Sequence, residues 1–456
     1  MNEDAPGLFS TPYEMAVVRP LRQTSRAERA AALRAAHYNT ELLPQELIYI
    51  DLSTDSGVSA LSTQQLTLAA APAVLEAGMG LAAEGSRAYA LLAEQIEGHF
   101  GFPWFVPTTQ GRAAERLWSK IHVKPGTLVA GNMLFPSTRS HIEMNGGKLV
   151  DVIGDAAHDL TSDEPFKGDI DPAKLDAMIA QFGAEKMSCI YVELSVNACG
   201  GHPVSLANLR AVREIATARK LPLFLDACRI LENSILIKER EPNQRDRSIR
   251  DIVKDICALA DGCTLSALKD FLVPAGGLIL TRDKPSQQKA MMQCFLDGAQ
   301  ASSSTMLMLA SALAEIFAAE AYVNSRAAQV KYLWERLHGA VPVLKPRAGH
   351  AVFIDVKAFL PELGPERFPA ESLAGFLYEV GGIRVTKGPP LAPSQAARGV
   401  DLLRLAVPAR KYLHGHMNDV AQALGYAYAH RSEIKGLKRI DDPSRSKYDP
   451  AHFTVL

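Results

Sequence analysis

Between about residues 100 and 290 the sequence alternates short β-rich runs with segments of helical periodicity. A chain that repeats strand and helix in this way folds into a mostly parallel sheet covered by helices. The sequence therefore predicts an α/β fold. The predicted strands are 103–107, 127–130, 148–153, 188–194, 221–225 and 277–281, and the predicted helices include 112–121, 172–182 and 205–219.

The second half of the chain has a different pattern. Residues 305–339 predict long helices, whereas 350–356 and 402–408 predict strands of another sheet. A chain of 456 residues also exceeds what one hydrophobic core usually holds. We therefore expect a large domain over residues 57–310 and a small α+β domain over 311–456, with residues 1–56 as an N-terminal arm and part of the small domain.

The charge balance excludes several classes of partner. The chain has 49 basic and 50 acidic side chains and a formal net charge of -1. It lacks the basic surface expected of a nucleic-acid binder and gives little reason to expect attraction to a membrane surface. Pro and Gly interrupt the most apolar window, 66–83, which favours a helix packed on protein over a membrane span. A small-molecule substrate is therefore expected.

The six cysteines indicate the compartment. They form neither a CxxC pair nor a Cys/His metal pattern, so we interpret them as reduced thiols and predict no metal site. The N-terminal residues are acidic and lack the basic and apolar regions of a signal peptide. A cytoplasmic location is expected.

Two side chains of complementary chemistry stand out in the α/β part of the chain. Asp226 ends the apolar run 221–225, at the carboxyl end of a predicted strand, where open α/β sheets bind ligands. Lys269 follows 43 residues later, just before a Gly-Gly turn into the last predicted strand. An amine that forms a Schiff base and a carboxylate that keeps a pyridine nitrogen protonated are what a pyridoxal cofactor needs. Taken singly, Asp226 is equally typical of a helix cap and Lys269 of a surface lysine.

A candidate anion site precedes these two residues. In 107-PTTQGRAAERLWSKI, Gln110 and Gly111 lead from a predicted strand into an amphipathic helix. Backbone N–H groups at such a helix start bind phosphate. The alternative is that this segment is an ordinary β-to-α turn. Arg112 would either bind the phosphate or lie at the surface.

A family resemblance joins these features. The segments 107-PTTQGR, 129-VAGNMLF, 195-SVNACGGHPVS, 224-FLDACR, 264-TLSALKD and 349-GHAVF resemble, in order, landmarks of the tyrosine phenol-lyase and tryptophanase family. Further ordered matches at 38-YNTELL, 49-YIDLSTDSG, 167-KGDID and 402-LLRLAVPAR extend the resemblance over nearly the full length. The family consists of β-eliminating lyases that use pyridoxal 5'-phosphate (PLP) and have the aspartate-aminotransferase fold, fold type I.

The resemblance implies a role for each matching residue. Lys269 would be the Schiff-base lysine, Asp226 the partner of the pyridine nitrogen and Arg229 the partner of the ring's phenolate oxygen. The phosphate would be held by Gln110, Gly111, Arg112 and Ser266.

The remaining roles concern the cofactor face and the substrate. Phe135 would stack on the cofactor, and Asn197 would lie near its 3-hydroxyl group and the substrate carboxylate. Arg404, with Thr54 and Ser56, would bind the α-carboxylate, for which a guanidinium is the natural bidentate partner. The resemblance also implies a homotetramer, or at least a homodimer, with active sites at a dimer interface.

The departures from the family lie where the leaving group is handled. Segment 57–88 contains no tyrosine, and Ala83 occupies the position of the tyrosine that protonates the leaving ring. The family's cation-binding glutamate and asparagine are replaced by Leu81 and Pro274. Leu268 replaces a lysine, Pro136 replaces the residue that recognises the leaving ring, and Lys387 alone stands near the position of the phenol-binding arginine.

These changes predict a substrate other than tyrosine or tryptophan, because a phenol or indole ring leaves poorly without a placed acid. A substituent that departs easily, such as a thiolate, needs no such acid. The cofactor residues alone also permit aminotransfer, β-replacement or retro-aldol cleavage, because the cofactor cradle does not dictate which bond breaks. A relative that binds the cofactor without catalysis is the remaining alternative.

Overall fold

The computed structural model describes residues 13–14, 18–69, 85–388, 398–441 and 449–456. These residues form two compact units. The large unit contains Ser56–Ala327, and the small unit contains Tyr13–Asp55 together with Ala328–Leu456. The small unit thus combines a segment near the start of the chain with the C-terminal part.

Strands and helices are numbered along the described part of the chain. The strands are β1 Ile50–Asp51, β2 Trp104–Thr108, β3 Leu128–Gly131, β4 Lys148–Asp151, β5 Met187–Glu193, β6 Leu223–Asp226, β7 Gly262–Ser266, β8 Gly277–Thr281, β9 Ala351–Asp355, β10 Ile383–Arg384, β11 Thr386–Lys387, β12 Leu402–Ala406, β13 Leu437–Arg439 and β14 Phe453–Val455. The helices are α1 Arg26–Ala35, α2 Thr63–Ala69, α3 Arg87–Phe100, α4 Gly111–His122, α5 Pro136–Met144, α6 Pro172–Phe182, α7 Leu206–Ala218, α8 Ile230–Arg240, α9 Ile249–Ala258, α10 Lys284–Leu296, α11 Ser303–Ala318, α12 Glu320–Leu337, α13 Val356–Phe359, α14 Pro369–Gly381 and α15 His414–Ala429.

The large unit is built on a seven-stranded sheet with the order β2-β8-β7-β6-β5-β3-β4. Strand β8 is antiparallel to both of its neighbours, and the other neighbouring pairs are parallel. All strands except β8 therefore point the same way. The predicted α/β fold with a mostly parallel sheet is confirmed, and the place where β2, β3, β5, β6 and β7 end is called the carboxyl edge.

Local sequence signals explain where the large unit's helices begin. Ser205 caps α7 by accepting the N–H of Asn208, as the predicted helix start requires. Asp171 caps α6, and Pro172 takes the first helical position, where its missing N–H costs nothing. Against the sheet, Trp118 of α4 stacks on Tyr191 of β5 with ring centroids 4.2 Å apart, and both side chains are buried.

The small unit has its own core and short sheets. Strands β11, β12 and β9 form an antiparallel sheet, β1 pairs in parallel with β10, and β13 pairs with β14. Its core includes Ile50, Leu333, Phe359, Leu405 and Met417, all buried. The strands predicted over 350–356 and 402–408 correspond to β9 and β12.

Among the described residues no single helix is long and apolar enough to cross a membrane. Helices α11 and α12 meet the length and composition requirement only when taken together, and they are bent by 107°. All six cysteines are buried and none forms a disulfide.

Candidate active site

The carboxyl edge of the large unit brings most of the predicted cofactor residues together. Asp226 is the last residue of β6 and lies opposite Glu193 of β5 and Thr264 of β7 in the strand register. Its side chain is 3% exposed, and its Oδ1 accepts the N–H of Cys228 at 3.1 Å. A carboxylate is thus fixed at the end of a central strand, as the sequence predicts.

Lys269 lies in the turn that follows β7, and its Nζ is 5.5 Å from the centre of the Phe135 ring. Desolvation lowers the pKa of Lys269, but the neighbouring Cys228 and Asp226 outweigh desolvation and raise the pKa above its usual value. Burial raises the pKa of the Cys228 thiol well above its normal range and keeps it neutral. The Asp226 carboxylate is therefore the charge that favours the lysine's proton.

The predicted phosphate residues form a tight junction between α4, β7 and β8. A Cβ atom on Gly111 would lie 2.6 Å from the Cβ of Ser266, and one on Gly277 would lie 2.4 Å from the carbonyl carbon of Gln110. Only glycine lets the start of α4 approach the end of β7 this closely. The helix start then offers N–H groups to an anion. Arg112, one residue further, is exposed.

Phe135 and Asn197 are held by one carboxyl group, Glu193. The N–H of Phe135 donates to Glu193 Oε2 at 2.5 Å, and the N–H of Asn197 donates to Glu193 Oε1 at 2.9 Å. Burial and the nearby Asp226 raise the pKa of Glu193 to about 8. Glu193 was not among the predicted site residues, although it lies near the carboxyl end of the predicted strand 188–194 and is the last residue of β5.

A second buried carboxyl group, Glu115 of α4, was also missed. Its Oε2 accepts the Ser137 hydroxyl at 2.6 Å, and the side chain is buried. Burial, with the charge of Asp226, raises the pKa of Glu115 to about 7. The helical periodicity of this segment places Glu115 on the buried face of α4, next to Ala114 and Trp118, and could have identified it.

Arg229 immediately precedes α8 and is buried, with its Nη1 3.4 Å from Glu232 Oε2. Ser56 lies at the start of the large unit. The other predicted substrate residues, Thr54 and Arg404, belong to the small unit, where the Arg404 guanidinium donates to the Ser53 carbonyl at 3.2 Å. Arg404 lies on β12, opposite Phe353 of β9.

Several of the residues that depart from the family at the leaving-group end lie in the described part of the chain. Pro136 is the first residue of α5, and Leu268 lies beside Gly57, whose N–H donates to the Leu268 carbonyl at 2.9 Å. In the small unit, Lys387 pairs with Glu371 at 3.1 Å. Ala83 and Leu81 lie outside the described residues.

The donor set at the carboxyl edge fits PLP. A buried carboxylate stands beside a lysine amine, a ring can stack on Phe135, and the glycine-dependent junction at Gly111 leaves a helix start for a phosphate.

A serine palmitoyltransferase from Sphingomonas wittichii has the same fold, with a TM-score of 0.65, 13% identity and coverage of 90% of this chain and 97% of that one. An aromatic aminotransferase from Pyrococcus horikoshii matches with a TM-score of 0.61, 13% identity and coverage of 90% and 100%. The chain has the fold of PLP-dependent fold type I enzymes.

Sequence comparison identifies the family within this class. The β-eliminating lyase family model matches residues 51–423. The tyrosine phenol-lyase of Pasteurella multocida is 39% identical over 458 residues, covering 97% of this chain and 98% of that one. That of Clostridium tetani is 40% identical over 458 residues, covering 97% of each. The chain belongs to the β-eliminating lyase family and is a PLP-dependent lyase.

Proposed function

We propose that this lyase eliminates a β-substituent from an amino acid other than tyrosine or tryptophan, releasing pyruvate, ammonia and the leaving group. One observation carries the proposal: the residues at the cofactor end match the family, whereas segment 57–88 contains no tyrosine to protonate a leaving ring. Catalysis of Cα–H cleavage and protonation of a leaving carbon are separate tasks. The chain retains residues for the first and lacks the family's acid for the second.

The cofactor end supplies the residues for cleavage at Cα. Bound PLP supplies the electron sink that stabilises a carbanion at Cα. Asp226 would keep the proton on the pyridine nitrogen of bound PLP, and Arg229 would pair with its ring oxygen. The amine of Lys269 would take the Cα proton. Gln110, Gly111, Arg112 and Ser266 hold the phosphate, while Phe135 and Asn197 orient the ring.

The substrate is bound through its α-carboxylate. Arg404, with Thr54 and Ser56, provides a guanidinium and hydroxyl groups for a bidentate carboxylate site. Asn197, whose backbone N–H is bound by Glu193, would contribute an amide to carboxylate binding, as the family resemblance implies. These residues select an amino acid but do not recognise its side chain.

The absence of an acid and of side-chain hydrogen-bond donors at these positions determines which leaving groups the site can accept. Pro136 and Leu268 are apolar and offer neither an acid nor a hydrogen-bond donor to a departing ring. A thiolate is a stable anion that departs without a proton donor. Cysteine S-conjugates are therefore the preferred substrates of this site. Other β-substituted alanines with comparable leaving groups come second. We further propose a cytoplasmic homodimer or homotetramer, as in the family that the chain resembles.

A panel of amino acids with product analysis tests the proposal. The PLP-loaded protein is incubated with S-alkyl and S-aryl cysteines, tyrosine and tryptophan, and pyruvate, ammonia and the free leaving group are measured. We expect equal amounts of all three products from cysteine conjugates. A keto acid that retains the side chain would instead indicate aminotransfer, and phenol from tyrosine at a comparable rate would overturn the substrate assignment. Lys269→Ala, compared with exposed Lys186→Ala, shows whether the reaction belongs to this site.

A further inference from the structure

A buried network of four charged side chains adjoins the cofactor end of the site. Its members are Arg229, Glu232, Asp270 and Arg326, and each side chain is at most 8% exposed. Two are cationic and two anionic. Charges buried to this degree persist only when they are paired and hydrogen-bonded.

Asp270 connects the turn that carries Lys269 to the start of α8. It follows Lys269 directly, and its Oδ2 accepts the N–H groups of Leu231 at 2.8 Å and Glu232 at 3.2 Å. These N–H groups belong to the first turn of α8, next to Arg229. The residue that follows Lys269 is thus bound to the backbone that follows Arg229.

Arg326, from α12, supplies the second cation of the network. Its Nη2 lies 2.7 Å from Asp270 Oδ1 and 3.8 Å from Glu232 Oε2. Arg229 Nη1 lies 3.4 Å from the same Glu232 oxygen. The two arginines therefore share Glu232, while Arg326 makes the short bond to Asp270.

The contact of both arginines with Glu232 determines which groups the Arg229 guanidinium can pair with. With Arg326 present, the two cations balance the two carboxylates. Without Arg326, Glu232 and Asp270 face Arg229 with one positive charge between them. A buried carboxylate that loses its partner is costly, so the guanidinium of Arg229 would turn toward the carboxylates.

We propose that Arg326 is a positioning residue, which neutralises Glu232 and Asp270 and thereby keeps the guanidinium of Arg229 available to the ring oxygen of PLP. The inference rests on the proposed role of Arg229 at that oxygen. It assigns a function to a side chain more than fifty residues from the predicted site segments of the large unit along the chain.

A spectroscopic titration measures this effect directly. In the loaded protein, a positive charge at the ring oxygen disfavours the proton held at Lys269 Nζ, and the visible absorption of the cofactor reports that proton. The other titratable or charged groups that face Lys269 are Cys228, Asp226, Glu115 and Glu193. Removing one nearby charge in a protein interior shifts a pKa by about one unit.

Three variants separate charge from packing. Arg326→Met should raise the midpoint of the visible band by about one pH unit. Glu232→Gln, which leaves the network with an excess positive charge, should lower it, and Arg326→Lys should leave it close to wild type. Opposite shifts from R326M and E232Q are not expected if the network only supports packing. Arg139→Met is the matched control, because it breaks the partly buried Arg139–Asp151 pair of the same unit, whose N···O distance is 3.0 Å.

Each result decides the inference. An unmoved midpoint in R326M, or an equal rise in R139M, contradicts it. If R326M does not fold, E232Q decides, and a midpoint that stays or rises in E232Q overturns the proposal. A wild-type protein without a visible band after PLP is added would refute the cofactor roles themselves, whereas a normal band that R326M and E232Q leave unmoved refutes only the role of Arg326.

Discussion

The two ends of the proposed active site differ in how they are built. The cofactor end lies at the carboxyl edge of the large unit, where Asp226, Ser266 and Lys269 end or follow buried strands. The leaving-group end depends on segment 57–88 and on single positions such as Pro136 and Leu268. Residues at a sheet edge are fixed by the packing of the whole unit, whereas connecting segments vary without disturbing the core. A family can therefore keep its cofactor chemistry while its substrates change.

The largest effect is expected at the centre of the cofactor end. Lys269→Ala removes both the covalent attachment of PLP and the base for the Cα proton, so elimination should fall by about 10³-fold or more. The visible absorption of the loaded protein should disappear with it. Lys186→Ala should change neither, and a lyase activity that survives K269A would place the chemistry elsewhere.

A smaller loss is expected from the residue that serves the pyridine nitrogen. Asp226→Asn keeps an acceptor for the Cys228 N–H but loses the charge that holds the nitrogen's proton. Elimination should slow on the order of 10²-fold for every substrate alike, because the cofactor end does not contact the leaving group. Rates for a good and a poor leaving group, measured in the same preparation, check this. A loss of rate for only one of the two substrates would mean that Asp226 also influences the departure of the leaving group.

A further expected effect concerns stability rather than activity. Burial, with Asp226, raises the pKa of Glu115 to about 7 in the folded chain from an ordinary value of 4.5. The folded state binds this proton more tightly, so the contribution to stability is complete below about pH 4.5 and is lost as the pH rises through about 7. Over that range wild type should lose up to about 3 kcal/mol of unfolding free energy relative to Glu115→Gln. Denaturant unfolding of the two proteins across this range, without PLP, measures the difference, and parallel pH profiles would contradict it.

The sequence predicts the frame of the large unit well. Each of the six predicted strands corresponds to an observed strand within a few residues, because the buried strands of this sheet, including the antiparallel β8, contain short apolar runs. Strand β7 was not predicted as a strand. Its sequence, GCTLS, begins with Gly and mixes polar with apolar residues, so its β-structure depends on its neighbours β6 and β8 rather than on local propensity.

In the site, too, residues with a local sequence signal could be predicted, whereas roles that depend on tertiary contacts could not. Asp226 and the Gly111 junction could be predicted because a strand end and a helix start leave local signals. Glu193 carries the same strand-end signal, but its role as the acceptor for Phe135 and Asn197 depends on two loops meeting it. The sharing of Glu232 between Arg229 and Arg326 joins residues nearly a hundred positions apart in sequence and has no local signal at all.

A comparison of kcat/KM across leaving groups tests directly whether this chain keeps the cofactor end of its family but not the ring-protonating acid. A series of cysteine S-conjugates with thiols of graded pKa is measured beside tyrosine. We expect kcat/KM to fall steadily as the thiol pKa rises, and the value for tyrosine to lie about 10²-fold or more below that of the best conjugate. Cleavage of tyrosine to phenol and pyruvate as fast as the best conjugate would contradict it.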